Sequence, residues 1–239
     1  GQAELLVAQQ GAHILSYQLA GEPPLIWLND EAAFKTGKSI RAGVPVCWPW
    51  FGNFSRNPQS VQAMRFSSEP PTAHGLVRAM DWELGGIEAQ GESLNVEFLL
   101  PCPEGGFPGW PHQVDLKLSI RLDEQLHISL TSHNQGFGHV TISQALHSYF
   151  AVSDVRNVHV EGLDGLSYIE TLDDWKTVRQ AGDLRFAGET DRIYLDTPAK
   201  LSIVDPAWER RIELTSSGSR SSVIWNPWID RAAAFSDMA

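Results

Sequence analysis

The chain has 239 residues, a formal net charge of −11 and a pI near 5.1. This acidic balance disfavours nucleic acid and anionic membrane surfaces as partners, because both select basic patches. Hydrophobic residues make up 42% of the chain, as in an ordinary globular protein, and no apolar run approaches the roughly 20 residues of a membrane-spanning helix.

Strand patterns recur from the start of the chain. Residues 12–19 alternate imperfectly between apolar and polar side chains. Residues 44–51 are apolar and aromatic, but two prolines bar them from a central strand, and residues 53–72 have the composition of a long loop. Residues 74–79 are predicted to be extended, and residues 94–100 to form a strand.

The clearest pattern is a strict apolar–polar alternation over residues 114–122 and again over residues 126–131. A tight turn at Asp123-Glu124 joins the two runs, which predicts a half-buried antiparallel hairpin. Residues 139–150 are expected to join the same sheet.

Short strands are predicted to continue to the end of the chain, at residues 155–160, 192–195, 200–204, 210–214 and 222–225. The one fair helical candidate covers residues 230–238. Because strands dominate and no βαβ units repeat, the sequence predicts an all-β sandwich or barrel-like double sheet. Without a repeat or a linker, residues 1–239 are expected to form a single domain.

The two cysteines, Cys47 and Cys102, match no metal-ligand spacing and are too few to indicate a disulfide framework. The chain opens without the charged and then apolar pattern of a signal peptide. These features predict a cytoplasmic protein.

A polar face follows residues 141–150, TISQALHSYF. With a strand's period of two, His147 and Tyr149 share this face with small hydroxyl-bearing side chains. Such a floor suits a sugar-sized polar ligand. The alternative is a core histidine that is hydrogen-bonded to a neighbouring strand.

Further polar residues of the kind that a sugar-phosphate site needs lie in separate patches. The strand period places His74 and Arg78 on one face, where they could contact opposite ends of a small anion. A surface ion pair and a structural histidine are the alternative. Arg41 precedes a turn-like segment and could present its guanidinium to a phosphate, or it could be a solvated loop charge. Asp191 could accept hydrogen bonds from vicinal hydroxyls or only stabilise a turn.

The aromatic run that contains Trp48, Trp50 and Phe51 could wall a sugar pocket, although such a run is more often core.

Five segments, taken together and in order, resemble successive motifs of one family. It is the hexose-6-phosphate mutarotases, or glucose-6-phosphate 1-epimerases, of the aldose 1-epimerase superfamily. The segments are RAGVPVCWPWFG (41–52), AHGLVRAMDWEL (73–84), ALHSYFAVSDV (145–155), ETDRIYL (189–195) and VIWNPW (223–228).

The resemblance implies a galactose-mutarotase-like β-supersandwich of two large, mostly antiparallel sheets. It also implies interconversion of the α and β anomers of a hexose 6-phosphate, with no metal or organic cofactor. His147 matches the general acid, and His74 the substrate-positioning histidine. Arg41 and Arg78 match the arginines around the phosphate, and Asp191 matches a residue that binds sugar hydroxyls. A sugar phosphate is the expected partner of a monomeric protein.

One part of the family's pattern has no match in this sequence. The resemblance implies a glutamate general base on a late strand, in an extension beyond residue 239. No glutamate of the chain lies in that motif, so the 239 residues are expected to lack the family's C-terminal extension. A non-catalytic sugar-phosphate or carbohydrate-binding β-sandwich is the alternative function.

Overall fold

The computed structural model describes residues 3–29 and 34–235, and nearly all of its regular elements are β-strands. The all-β prediction is therefore confirmed. The chain divides into two compact units, one of Gly1–Ala20 and Ile26–Tyr149 and the other of Gly21–Leu25 and Phe150–Ala239. In the described ranges, no helix has the length and apolar character needed to cross a bilayer.

Besides two short 3₁₀ helices, the first unit is built from eight strands and one short α-helix within its described residues. They are β1 (Ala3–Ala8), β2 (His13–Leu19), β3 (Val46–Cys47), α1 (Gln59–Gln62), β4 (Glu83–Gln90), β5 (Ser93–Leu100), β6 (Val114–Leu122), β7 (Leu126–Asn134) and β8 (Ala145–Leu146). β1 pairs with β2, β3 pairs with β8, and β4 to β7 form a sheet in chain order. All of these pairings are antiparallel.

The predicted hairpin is confirmed as β6 and β7, which pair from Leu122 opposite Leu126 to Val114 opposite Asn134. Every apolar residue of the β6 alternation is buried, and the intervening residues are more exposed. Each such side chain contributes roughly 1.5–3 kcal/mol of burial free energy, which fixes the register of the strand.

The prediction that residues 139–150 join this sheet is wrong, because the segment pairs with residues 43–49 instead. The N–H groups of Ser143, His147 and Tyr149 donate to the carbonyls of Pro49, Pro45 and Gly43, at 3.0, 3.0 and 2.9 Å. A proline has no N–H to donate in return, and the Gly43 N–H donates to the Trp27 carbonyl instead, so the steps at residues 43, 45 and 49 of this ladder are one-sided. Only the two residues of β8 therefore have regular strand pairing.

The prediction that residues 74–79 are extended is also wrong. His74 and Gly75 have positive φ angles of 62° and 79°, and a short 3₁₀ helix follows at Val77–Ala79. The cause is a close approach between two backbones: a Cβ atom on Gly75 would lie 2.0 Å from the carbonyl oxygen of Trp48. His74 and Arg78 are thus held by a turn and a helix, and not by one strand face.

The second unit contains two antiparallel four-stranded sheets. Its elements are β9 (His159–Glu161), β10 (Ser167–Glu170), β11 (Lys176–Arg179), β12 (Leu184–Arg185), β13 (Thr190–Leu195), β14 (Lys200–Asp205), β15 (Arg210–Thr215), β16 (Ser221–Asn226) and α2 (Trp228–Ala233). The sheet orders are β11-β10-β13-β16 and β12-β9-β14-β15. Tyr168 and Tyr194 of one sheet form a buried cluster with Val160, Leu184 and Leu201 of the other, so the two sheets pack as a sandwich.

β13 to β16 agree with the predicted strands to within two residues, and β9 is displaced towards the end of the predicted 155–160. The sequence analysis did not predict β10, β11 or β12. The terminal helix begins and ends earlier than predicted, at Trp228–Ala233, and residues 236–238 of that prediction lie outside the described residues.

Substitution of Gly75 by alanine tests the backbone contact that bends residues 74–79. We expect Gly75→Ala to lower the free energy of unfolding by at least about 2 kcal/mol, because it adds a steric overlap to a left-handed backbone conformation. The matched control is Gly86→Ala in β4, where a Cβ atom would meet nothing within 4 Å. We expect the control to change stability by no more than about 1 kcal/mol in denaturant titrations. Equal stability of the two variants would contradict this account of the turn.

Candidate active site

Two histidines meet in the first unit. The ring centroids of His74 and His147 lie 5.7 Å apart with an interplanar angle of 77°. Phe51 contacts both rings, at 5.0 Å from His74 and 6.0 Å from His147. Tyr149 stacks on His147 at 4.6 Å and 20°, which confirms the prediction that these two side chains share a face.

The protonation state of His74 follows from its neighbours. Its Nδ1 accepts a hydrogen bond from the Gly52 N–H at 3.2 Å, and the Cys47 thiol lies 3.6 Å from the same atom. Burial raises the pKa of Cys47 to about 12, so the thiol keeps its proton. Burial also lowers the pKa of His74 to about 4, helped by the charges of Arg78, His147 and Arg41. His74 is therefore a neutral imidazole with its proton on Nε2, and it offers an N–H donor.

His147 is also neutral near pH 7. Burial lowers its pKa to about 4, and the positive charges of Arg78 and Arg41 act in the same direction. This pKa lies well below the ordinary imidazole value of about 6.5. The main chain of His147 is held by a hydrogen bond from its N–H to the Pro45 carbonyl at 3.0 Å.

The two predicted phosphate-binding arginines belong to the same neighbourhood. Arg78 donates from its guanidinium to the Ala73 carbonyl at 2.9 Å. Burial lowers the pKa of Arg78, and the charge of Arg41 lowers it further. Both guanidinium groups also lower the pKa of both histidines. The first unit therefore brings together four of the five site residues predicted from the sequence.

The fifth predicted residue, Asp191, belongs to the second unit. It is the second residue of β13, and its carbonyl accepts hydrogen bonds from the Thr171 N–H and hydroxyl at 3.1 and 2.9 Å. Burial raises the pKa of its carboxyl, and the charge of Glu170 adds to this effect, whereas a hydrogen bond from the Thr171 side chain opposes it.

The aromatic run has a different role from the suggested pocket wall. Trp48 and Trp50 are 0% and 1% exposed and belong to the core. Trp48 packs edge-on against Phe107 and Trp110, with ring centroids 5.1 and 4.7 Å away. Of its three aromatic side chains, Phe51 contacts the histidines.

Sequence reasoning missed one neighbour of the histidine pair. Cys47 was considered only as an unpaired thiol, yet its sulfur lies beside the ring of His74. The spacing of the two residues along the chain gave no signal of this contact, because it depends on the approach of β3 to the turn at residues 74–75.

The second unit contains a set of groups with metal-ligand chemistry. Single ligand atoms of His159, Glu161 and Asp183 all lie within 4.8 Å of one another. The Glu161 carboxylate is also paired with the Arg211 guanidinium, which already offsets its charge. We assign no metal to this cluster.

The geometry of the histidine and arginine cluster suits an anion that carries hydroxyl groups. Two guanidinium groups can form charge-assisted hydrogen bonds with a phosphate, and two neutral imidazoles can exchange hydrogen bonds and protons with sugar oxygens. Because the chain as a whole is acidic, the pair of arginines is a local exception to its net charge of −11.

Comparison with known proteins gives a consistent result over the whole chain. The sequence profile "Aldose 1-epimerase" matches residues 1–239. A protein of Salmonella typhimurium (strain LT2) named "Putative glucose-6-phosphate 1-epimerase" is 34% identical over 238 residues, which are 99% of this chain and 75% of that relative. An Escherichia coli K12 protein with the same name is 35% identical over 239 residues, which are 99% of this chain and 75% of the relative.

A solved structure shows the same fold. The crystal structure of a "putative mutarotase" from Salmonella typhimurium has a TM-score of 0.87 and 32% identity, and the match covers 100% of this chain and 75% of that one. The mutarotase-like β-sandwich fold that the order of the motifs indicated is therefore confirmed.

The lowered pKa values of the two histidines predict how stability depends on pH. Each imidazole binds a proton near its ordinary pKa of 6.5 when the chain is unfolded, but only near pH 4 when it is folded. The unfolded chain therefore binds more protons between these values, and stability falls as the pH decreases.

We expect the thermal midpoint to decrease as the pH is lowered from about 7 to about 4.5. The decrease should be smaller in His147→Gln, which removes one of the two imidazoles with a lowered pKa. His127→Gln is the control, because that side chain is 46% exposed in the folded protein. The contradictory result is an equal pH dependence of the parent and His147→Gln.

Proposed function

Because the chain belongs to the aldose 1-epimerase family, we propose that it is a mutarotase that interconverts the α and β anomers of hexose 6-phosphates. The observation that carries the proposal is that the rings of His74 and His147 lie side by side, with centroids 5.7 Å apart, where the charges of Arg41 and Arg78 act on both. A pair of cations beside a pair of imidazoles suits a substrate with a phosphate at one end and an acid-labile ring at the other. The names of the relatives support the choice of a glucose 6-phosphate as substrate.

The reaction requires two proton transfers. Ring opening removes the proton of the C1 hydroxyl and adds a proton to the ring oxygen, after which the C1–C2 bond rotates and the ring closes on the other face of the carbonyl. We assign His147 as the acid that protonates the ring oxygen. The proton of the C1 hydroxyl passes to a base, for which the family resemblance implies a glutamate.

Binding of the phosphate would also favour the protonated form of His147, the proposed acid. In the free protein His147 is neutral, mainly because of burial and further because of the two arginine charges. A phosphate between Arg41 and Arg78 offsets those charges, which raises the pKa of His147 and favours its protonated form. The phosphate thus contributes binding energy that positions the sugar ring, and a negative charge that favours protonation of His147. An unphosphorylated sugar would provide neither.

The remaining roles follow from the hydrogen-bonding groups. His74 presents its Nε2–H, so it would donate to a sugar oxygen and orient the ring. Asp191 would accept hydrogen bonds from sugar hydroxyls. We further propose that the protein acts as a monomer in the cytoplasm.

The test is NMR exchange between the anomeric proton signals of glucose 6-phosphate, with glucose as the comparison sugar. We expect the protein to accelerate exchange of the phosphate ester well beyond that of glucose. We expect His147→Gln to reduce the accelerated rate by roughly 100- to 10,000-fold, the usual contribution of a general acid. His127→Gln controls for loss of an exposed imidazole and should leave the rate unchanged.

Two results would count against the proposal. Unchanged acceleration in His147→Gln would show that another group is the acid. Ligand-induced shifts of the sugar signals without any acceleration would indicate a binding module.

A further inference from the structure

His13, the first residue of β2, is a buried polar group that the proposed reaction does not use. Its side chain is 1% exposed, and its Nε2 lies 2.7 Å from the Ala42 carbonyl oxygen. Burial lowers its pKa to about 4, against the opposing effect of this hydrogen bond and with help from the charge of Arg78. The ring is neutral near pH 7. Because a carbonyl oxygen only accepts, Nε2 carries the proton and donates it to Ala42.

The hydrogen bond to Ala42 is made next to Arg41. The adjoining turn is packed directly on β2: the Val44 N–H donates to the Ile14 carbonyl at 2.8 Å. At Gly43 the backbone has a φ angle of +67°, and a Cβ atom there would lie 2.1 Å from the Ile14 oxygen and 2.8 Å from His13 Nε2. The start of β2 therefore determines where this turn, and the Arg41 that precedes it, can lie.

The same segment also contacts the backbone at Arg78. The Gly11 N–H donates to the Met80 carbonyl at 2.7 Å. A Cβ atom on Gly11 would lie 2.6 Å from the Arg78 carbonyl oxygen, so the two backbones touch. Residues 11–13 thus contact the backbone at both arginines. Gly11 contacts it at Arg78, and His13 contacts it at Ala42, next to Arg41.

We infer that His13 is a positioning residue that, through the Ala42 carbonyl, holds Arg41 at the spacing from Arg78 that a phosphate requires. This inference rests on the proposed function. His13 contacts no reacting atom in this scheme, and its effect is on recognition of the phosphate. A donor that is neutral suits this place, because a protonated ring would add a third positive charge near the two guanidinium groups.

The experiment compares three substitutions of His13. His13→Leu removes the donor and keeps an apolar side chain of similar bulk. His13→Gln keeps an N–H donor at a similar distance from the backbone, and His13→Asn keeps the amide but shortens its reach. The exposed His127→Gln is the control, and thermal midpoints establish the temperature at which every variant is folded.

We expect His13→Leu to raise the KM for glucose 6-phosphate by roughly tenfold, the loss of about one charge-assisted hydrogen bond, with a smaller change in kcat. The KM for glucose should stay unchanged, since glucose has no phosphate. The Kd for inorganic phosphate should rise by a similar factor. His13→Gln should restore both constants to within about threefold of the parent, and His13→Asn should resemble His13→Leu.

The inference is overturned if His13→Leu affects glucose and glucose 6-phosphate equally, or if neither KM nor the phosphate Kd changes. If His13→Leu does not fold, the same phosphate affinity in His13→Gln and His13→Asn overturns it. A parent protein that shows no preference for the phosphate ester contradicts the proposed function instead. Binding of inorganic phosphate, which needs no turnover, then still decides the role of His13.

Discussion

The incomplete antiparallel ladder between residues 43–49 and 143–149 is the constraint on which the histidine site depends. Pro45 and Pro49 accept hydrogen bonds from the opposite chain but cannot return them, so the register is fixed while regular strand structure is limited to two residues. In this register His147 lies opposite Pro45, and Tyr149 opposite Gly43, close to Arg41. The pairs at Pro45 and Gly43 therefore hold the main chain of the proposed acid, and the ring of Tyr149 stacks on its imidazole.

His74, the second histidine of the site, is positioned by the same residues 43–49. The approach of Gly75 to the Trp48 carbonyl brings His74 beside Cys47 and Gly52, which together fix its tautomer. Burial then has two consequences. It keeps the imidazoles neutral, so that they do not repel two guanidinium groups, and it strengthens the electrostatic interaction of those groups with any anion that enters. Under the proposed function, binding of a phosphorylated sugar would therefore favour protonation of His147.

The sequence predicted β6 correctly. Its alternation of apolar and polar residues was sufficient to identify the strand, because one face of β6 is buried and the other is not. Residues 74–79 and 139–150 were predicted as regular strands, and both differ because of contacts with distant backbone. The resemblance named four residues that the structure brings together in the first unit, but it did not indicate the lowered pKa of the two histidines, since burial is a tertiary property. His13 gave no signal, because its partner, Ala42, is 29 residues away in the chain.

The crystal structure of the protein in complex with glucose 6-phosphate tests the central claim most directly. The account predicts that phosphate oxygens lie about 3 Å from guanidinium nitrogens of both Arg41 and Arg78, and that the sugar ring oxygen lies within hydrogen-bonding reach of His147, about 3 Å. A phosphate bound away from either arginine, or a ring oxygen out of reach of His147, would contradict it.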